Sequence, residues 1–141
     1  GRFEIVVLHL FLVMERLRSE PQIGHVLPRL VVERFVADVD DSLRELGTGD
    51  LAVPKKVRRA AAGLYERAIA YRAAISVGDE KALAQLLASY VFMAEGADWR
   101  SDALASYTIK AMAKLARQNV SEINSGKIAF PDAATLREDL Q

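Results

Sequence analysis

The distribution of apolar positions along the chain follows helical spacing almost throughout. From Phe3 to Arg18 apolar side chains fall on nearly every side of the projected helix, the pattern of a central, heavily buried element. A break holding Pro21, Gly24 and Pro28 follows. A second helix, established by Pro28 and ending at Leu46, is predicted next, with Gly47 as its stop. Val32, Phe35, Val36, Val39, Leu43 and Leu46 form its expected core stripe. After the tight connection from Gly47 to Val53, Pro54 opens a third helix that runs to about Val77 and stops at Gly78. Its seam is Val57, Ala61, Leu64, Ala68, Tyr71 and Ile75.

Asp79 is placed to cap a fourth helix carrying Leu83, Leu86, Leu87 and Tyr90 inward. Past the break at Gly96 and Asp98, Ser101 is the expected cap of a fifth helix. That helix presents Leu104, Thr108, Ala111, Met112, Leu115, Val120 and Ile123 and stops at Gly126. Pro131 and Asp132 begin a short last helix or turn. Strict alternation of β-branched residues is missing, and no repeat, linker or low-complexity stretch interrupts the series. The fold class predicted is all-α: a single compact bundle of about five or six helices, with residues 1–141 as one domain.

Composition narrows the chemistry. The chain has 141 residues, 51% of them hydrophobic, and a formal net charge of zero, so it has no bulk attraction for nucleic acid or anionic lipid. It has no cysteine, which removes disulfides, thiolate metal sites and cysteine nucleophiles. The chain starts at Gly1, and further sequence upstream is expected. No signal-peptide pattern is visible. The longest apolar run, Ile5 to Met14, is about half the roughly 20 residues needed to span a bilayer. A soluble protein is expected, in peripheral contact with a membrane at most.

Catalytic signatures are sparse. Of the two histidines, His25 falls in a loop. His9 sits in the most apolar helix, where a packed, hydrogen-bonded residue is the better reading than a metal ligand or an acid–base group. The Gly47-Thr48-Gly49-Asp50 turn lacks the Gly-Lys-Ser/Thr of a phosphate loop, and Pro54 has no amide to donate. Trp99, just after a helix break, reads as a lid on the core.

Charge is more informative. Asp38, Asp40, Asp41 and Glu45 crowd the end of the second helix, and Lys55, Lys56, Arg58 and Arg59 crowd the start of the third. Both clusters oppose their helix dipoles, by roughly 0.3–1 kcal/mol per charge at the very ends. The short turn is expected to bring them together so that each offsets the other, with Asp40 and Arg44 also paired at i,i+4. Such a corner serves either as an ion-pair network fixing the hairpin or as a docking surface for a protein. The cations lack interleaved aromatics and have acids beside them, so sequence-specific nucleic-acid recognition is not expected.

The order Gly1-Arg2-Phe3, a leucine-rich helix, then Phe35, Asp38-Val39-Asp40, Leu43-Arg44-Glu45, Gly47, Gly49-Asp50, Val53-Pro54-Lys55-Lys56-Val57, Tyr65-Glu66-Arg67 and Tyr71 resembles the ubiquinol–cytochrome c chaperone family. That family has mitochondrial and alphaproteobacterial members, and the likeness here is to the latter. Val39 stands where some members carry methionine, and Glu66 where a small residue is common. The resemblance implies a helical, non-enzymatic assembly chaperone without a cofactor. It would bind newly made or unassembled cytochrome b during biogenesis of the cytochrome bc complex. The mitochondrial relatives work near the ribosome exit with a small partner protein.

The resemblance also implies a location in the bacterial cytoplasm or at the inner membrane's surface, or the matrix side in a eukaryote. It points to the charged corner as the recognition surface. The candidate residues are Asp38, Asp40, Arg44, Glu45, Asp50, Lys55, Lys56, Arg59 and Tyr65. The alternative is a helical carrier with a cavity for a lipid or a tetrapyrrole. An open apolar groove beside the charged corner favours the chaperone; a closed cavity favours the carrier.

Overall fold

The sequence folds, in a computed structural model, into six described helices with no strand among the described residues. The structure describes residues 2–21, 26–132 and 134, with backbone only at Val26 and Leu27. In chain order the helices are α1 (Arg2–Arg18), α2 (Val26–Glu45), α3 (Val53–Ser76), α4 (Glu80–Tyr90), α5 (Trp99–Arg117) and α6 (Val120–Asn124).

The all-round apolarity of α1 is explained by its two packing faces. Leu8, Phe11 and Leu12 enter the main core with Tyr71 of α3, Leu83 and Leu87 of α4, and Leu104, Ala111 and Leu115 of α5. The rings of Phe11 and Tyr71 lie 5.5 Å apart. Val7 turns the other way and meets Phe35 of α2 and Leu64 of α3, with Leu10, Met14, Val32, Val36, Val39 and Ala60 packed around them. This second, smaller core holds α2 to the bundle. Of the expected α2 stripe only Phe35 is buried. Val32, Val36, Val39 and Leu43 are half-buried, and Leu46 is exposed.

Local signals set the boundaries. At Gly47 (φ +81°) the amide donates to the Arg44 carbonyl, and the Thr48 amide reaches back to Leu43. This left-handed C-terminal stop favours glycine. Gly78 (φ +69°) ends α3 in the same way, and the Asp79 carboxylate then caps α4 by accepting from the Ala82 amide at 2.9 Å. The second helix begins at Val26 and is established by Pro28, which falls in its first turn, where its missing amide costs nothing.

Three expectations are corrected. Asp98 is the N-cap of α5, and Ser101 is its reciprocal partner three residues on, buried and donating to the Asp98 carbonyl. That register puts Trp99 in the first helical position, 64% exposed, and turns Leu104, Ala105 and Thr108 inward instead. The fifth helix also stops at Arg117: Gln118 turns extended, Asn119 caps α6 by accepting from the Ser121 amide at 2.8 Å, and Arg16 of α1 donates to the carbonyls of Leu115 and Gln118, each at 2.8 Å. Those are the acceptors a continuing helix would need. At Asp132, where the last helix or turn was expected to start, the carboxylate accepts from the Ala134 amide at 3.0 Å; the residues after Ala134 and the loop placement of His25 lie outside the described residues.

Candidate functional site

Where α2 overhangs the small core, its apolar stripe runs out of cover. Phe3 and Val6 of α1, Phe35, Val39 and Leu43 of α2, Leu46 just past its end, and Ala60 of α3 line a groove of about 460 Å³, open to solvent. Asp38 and Ser42 stand on its α2 side and Lys56 on its α3 side. The Phe3 and Phe35 rings are 5.9 Å apart, tilted by 38°. Exposure of 46% for Phe3, 56% for Val6 and 82% for Leu46 shows that the groove leaves apolar side chains in water. Along the α3 wall the depression continues past Phe3 and Lys56 to Arg59, Gly63, Glu66 and Arg67.

The charges around the groove pair within α2 more than across the hairpin. Arg34 reaches Asp38 at 3.0 Å. Arg44 joins Asp40 at 3.1 Å and Asp50 at 2.9 Å, and its pKa is pushed up, chiefly by the hydrogen bond to Asp40. The expectation that the acids of α2 and the cations of α3 offset each other is therefore not met. Among the described residues no carboxylate lies within ion-pair distance of Lys55, Lys56, Arg58 or Arg59. The reason is spacing. The arginines of α2 sit one turn from its aspartates on the same face, while the seam between the two helices is filled by Val39 and Ala60.

Arg67, farther along the same wall, is already engaged. It donates to both carboxylate oxygens of Glu4, at 2.7 and 2.8 Å, and lies 4.4 Å over the Tyr90 ring. Its pKa is raised, first by that hydrogen bond to Glu4. Glu66, where the family commonly has a small residue, accepts a hydrogen bond from the Tyr90 hydroxyl at 3.4 Å.

The structure thus gathers Asp38, Lys56 and Arg59 around the groove and sets Asp40, Arg44 and Asp50 in one ion-pair network at the turn. Glu45, Lys55 and Tyr65 are exposed but do not line the groove. Charge-based reading missed its apolar floor; the signal was a stripe on α2 that continues to the last residue before the turn.

His9 is fully engaged, its Nδ1 donating to the Ile5 carbonyl at 2.8 Å and its Nε2 accepting from the Tyr107 hydroxyl at 2.7 Å. Burial pushes the Tyr107 pKa up, which keeps that hydroxyl a donor. Among the described residues no group of three or more His, Cys, Asp or Glu side chains assembles as a metal site. Among them, too, no helix is long and apolar enough to cross a membrane.

Comparison with known proteins places this geometry in context. Residues 1–130 match the family described as ubiquinol-cytochrome C chaperone. No curated protein matches the chain. A solved structure does: the crystal structure of the Cbp3 homolog from Brucella abortus is 34% identical, with a TM-score of 0.79. The match covers 94% of this chain and 73% of that one.

Proposed function

The chain belongs to the ubiquinol–cytochrome c chaperone family, and from that membership we propose that it holds newly made cytochrome b in the groove between α1, α2 and α3 while the cytochrome bc complex is assembled. The observation that carries this reading is the apolar groove left open beside the charged corner. A membrane protein not yet assembled presents apolar helices in need of cover, and a helix laid into a groove is a standard way to supply it.

The magnitudes suit a temporary holder. Fully burying a Leu, Val or Phe side chain gains about 1.5–3 kcal/mol. Phe3, Val6 and Leu46 are already part-covered, and association itself costs several kcal/mol. The grip is then modest, and the client can pass on to the complex. The groove opens to solvent rather than closing over, which suits a polypeptide better than an enclosed small molecule.

The test is a photo-crosslinker at Leu46 or Lys56, with a third at Glu95 on the α4–α5 connection, in a translation system making cytochrome b. Capture of nascent cytochrome b from the first two positions and not the third supports the reading. Capture of ribosomal proteins alone, or equal capture at all three, removes it.

A further inference from the structure

The two walls of the groove carry different charge. On the α3 side, Lys56 in the groove and Arg59 in its continuation have no carboxylate partner among the described residues, while farther along Arg67 is taken by Glu4 and Glu66 accepts from Tyr90. On the α2 side stand the carboxylate of Asp38, already held by Arg34, and the neutral Ser42. Between the walls the floor is apolar. Taking as its basis the reading that the groove holds a client segment, we infer that the segment is an apolar helix with carboxylates along one flank, oriented so that this flank faces α3.

Three considerations lead there. Lys56 and Arg59 are three residues apart, about 4.5 Å along the helix axis at 1.5 Å per residue. Two carboxylates one turn apart on a bound helix match that spacing. A basic flank in the same place meets like charge at close range, the repulsive element from which specificity is built. The α2 wall offers an acidic flank no free cation in the groove, Asp38 being held by Arg34 and Ser42 being neutral, so the flank gains most on the α3 side. An anionic bilayer fits less well: Asp41, Glu45 and Asp50 share the corner with the cations, and a flat anionic surface meets both signs at once.

The experiment uses the full chain and two synthetic helical peptides with the same apolar face. One carries two glutamates and the other two lysines, four residues apart on one flank. Fluorescence anisotropy at low salt is expected to give at least a tenfold tighter Kd for the acidic peptide, the gap shrinking as salt rises. The Lys56→Glu/Arg59→Glu variant should invert the preference, while an unchanged melting temperature shows that it still folds. Equal affinities overturn the inference, as does a preference that survives in the variant unchanged. So does binding of phosphatidylglycerol vesicles, abolished by the same variant, when neither peptide binds. Crosslinking of nascent cytochrome b at Lys56 together with equal peptide affinities sinks the flank assignment alone. Loss of that crosslink removes the client reading itself.

Discussion

The main core and the small core under α2 are built from similar residues but to different standards. In the first, Leu8, Phe11, Tyr71, Leu87 and Ala111 have essentially no exposed surface, and four helices contribute. In the second, only Val7, Phe35 and Leu64 are buried, surrounded by half-buried Val32, Val36 and Val39. The apolar surface that the small core leaves uncovered is the surface that forms the groove. One part of the bundle is fully enclosed, and the other leaves apolar side chains in water. Elements that bind partners are commonly drawn from the less stable end of a protein's structure.

The contrast is sharpest under truncation. Phe11→Ala should destabilise by about 4 kcal/mol, because its site is enclosed on all sides. Phe35→Ala should cost only about 2 kcal/mol, since a partly covered cavity relaxes more readily. Denaturant unfolding of the two variants checks this, and equal losses would break the division into two cores. In native-state hydrogen exchange, α2 amides should open at a free energy about 2 kcal/mol below those of α4 and α5; uniform protection would mean that α2 is as firmly held as the rest.

The smallest effect concerns the Asp98 cap of α5. Hydrogen bonds from the Arg100 side chain, and then from backbone amides, hold its carboxyl below the usual aspartate pKa. Its stabilising contribution is thus fully present above the ordinary aspartate pKa and is lost as pH falls through the lower folded value. Asp98→Ala should lower the melting temperature by roughly a few degrees at neutral pH, and the difference from the parent should shrink in acid to what a neutral cap still supplies. Asp98→Asn should retain most of the cap. A pH-independent deficit in the alanine variant would show that ionisation plays no part.

Much of this architecture was legible because local signals coincide with tertiary ones. Gly47, Gly78 and Asp79 act where they were expected, and the α3 seam from Val57 to Ile75 packs as its spacing requires. One failure involves a contact from far along the chain, and the others turn on which of two local signals prevails. Nothing near residue 117 forecasts that Arg16 will take the Leu115 and Gln118 carbonyls. Trp99 reads as a lid until the cap is fixed at Asp98 rather than Ser101. At the groove, charge patterning found Asp38, Lys56 and Arg59, yet predicted a cross-hairpin network that i,i+4 pairing within α2 pre-empts. Phe3 and Val6 looked like core because a helix apolar all round does not reveal which of its faces its neighbours will leave bare.

The Arg16 contact also makes the two ends of the bundle mechanically unlike. Its guanidinium pins the tail of α1 to the tail of α5, about 20 Å along the helix from Phe3. That contact ties α1 to α5 and leaves α2 untouched, so the surface beside Phe3 and Leu46 is remote from the bundle's best-pinned corner.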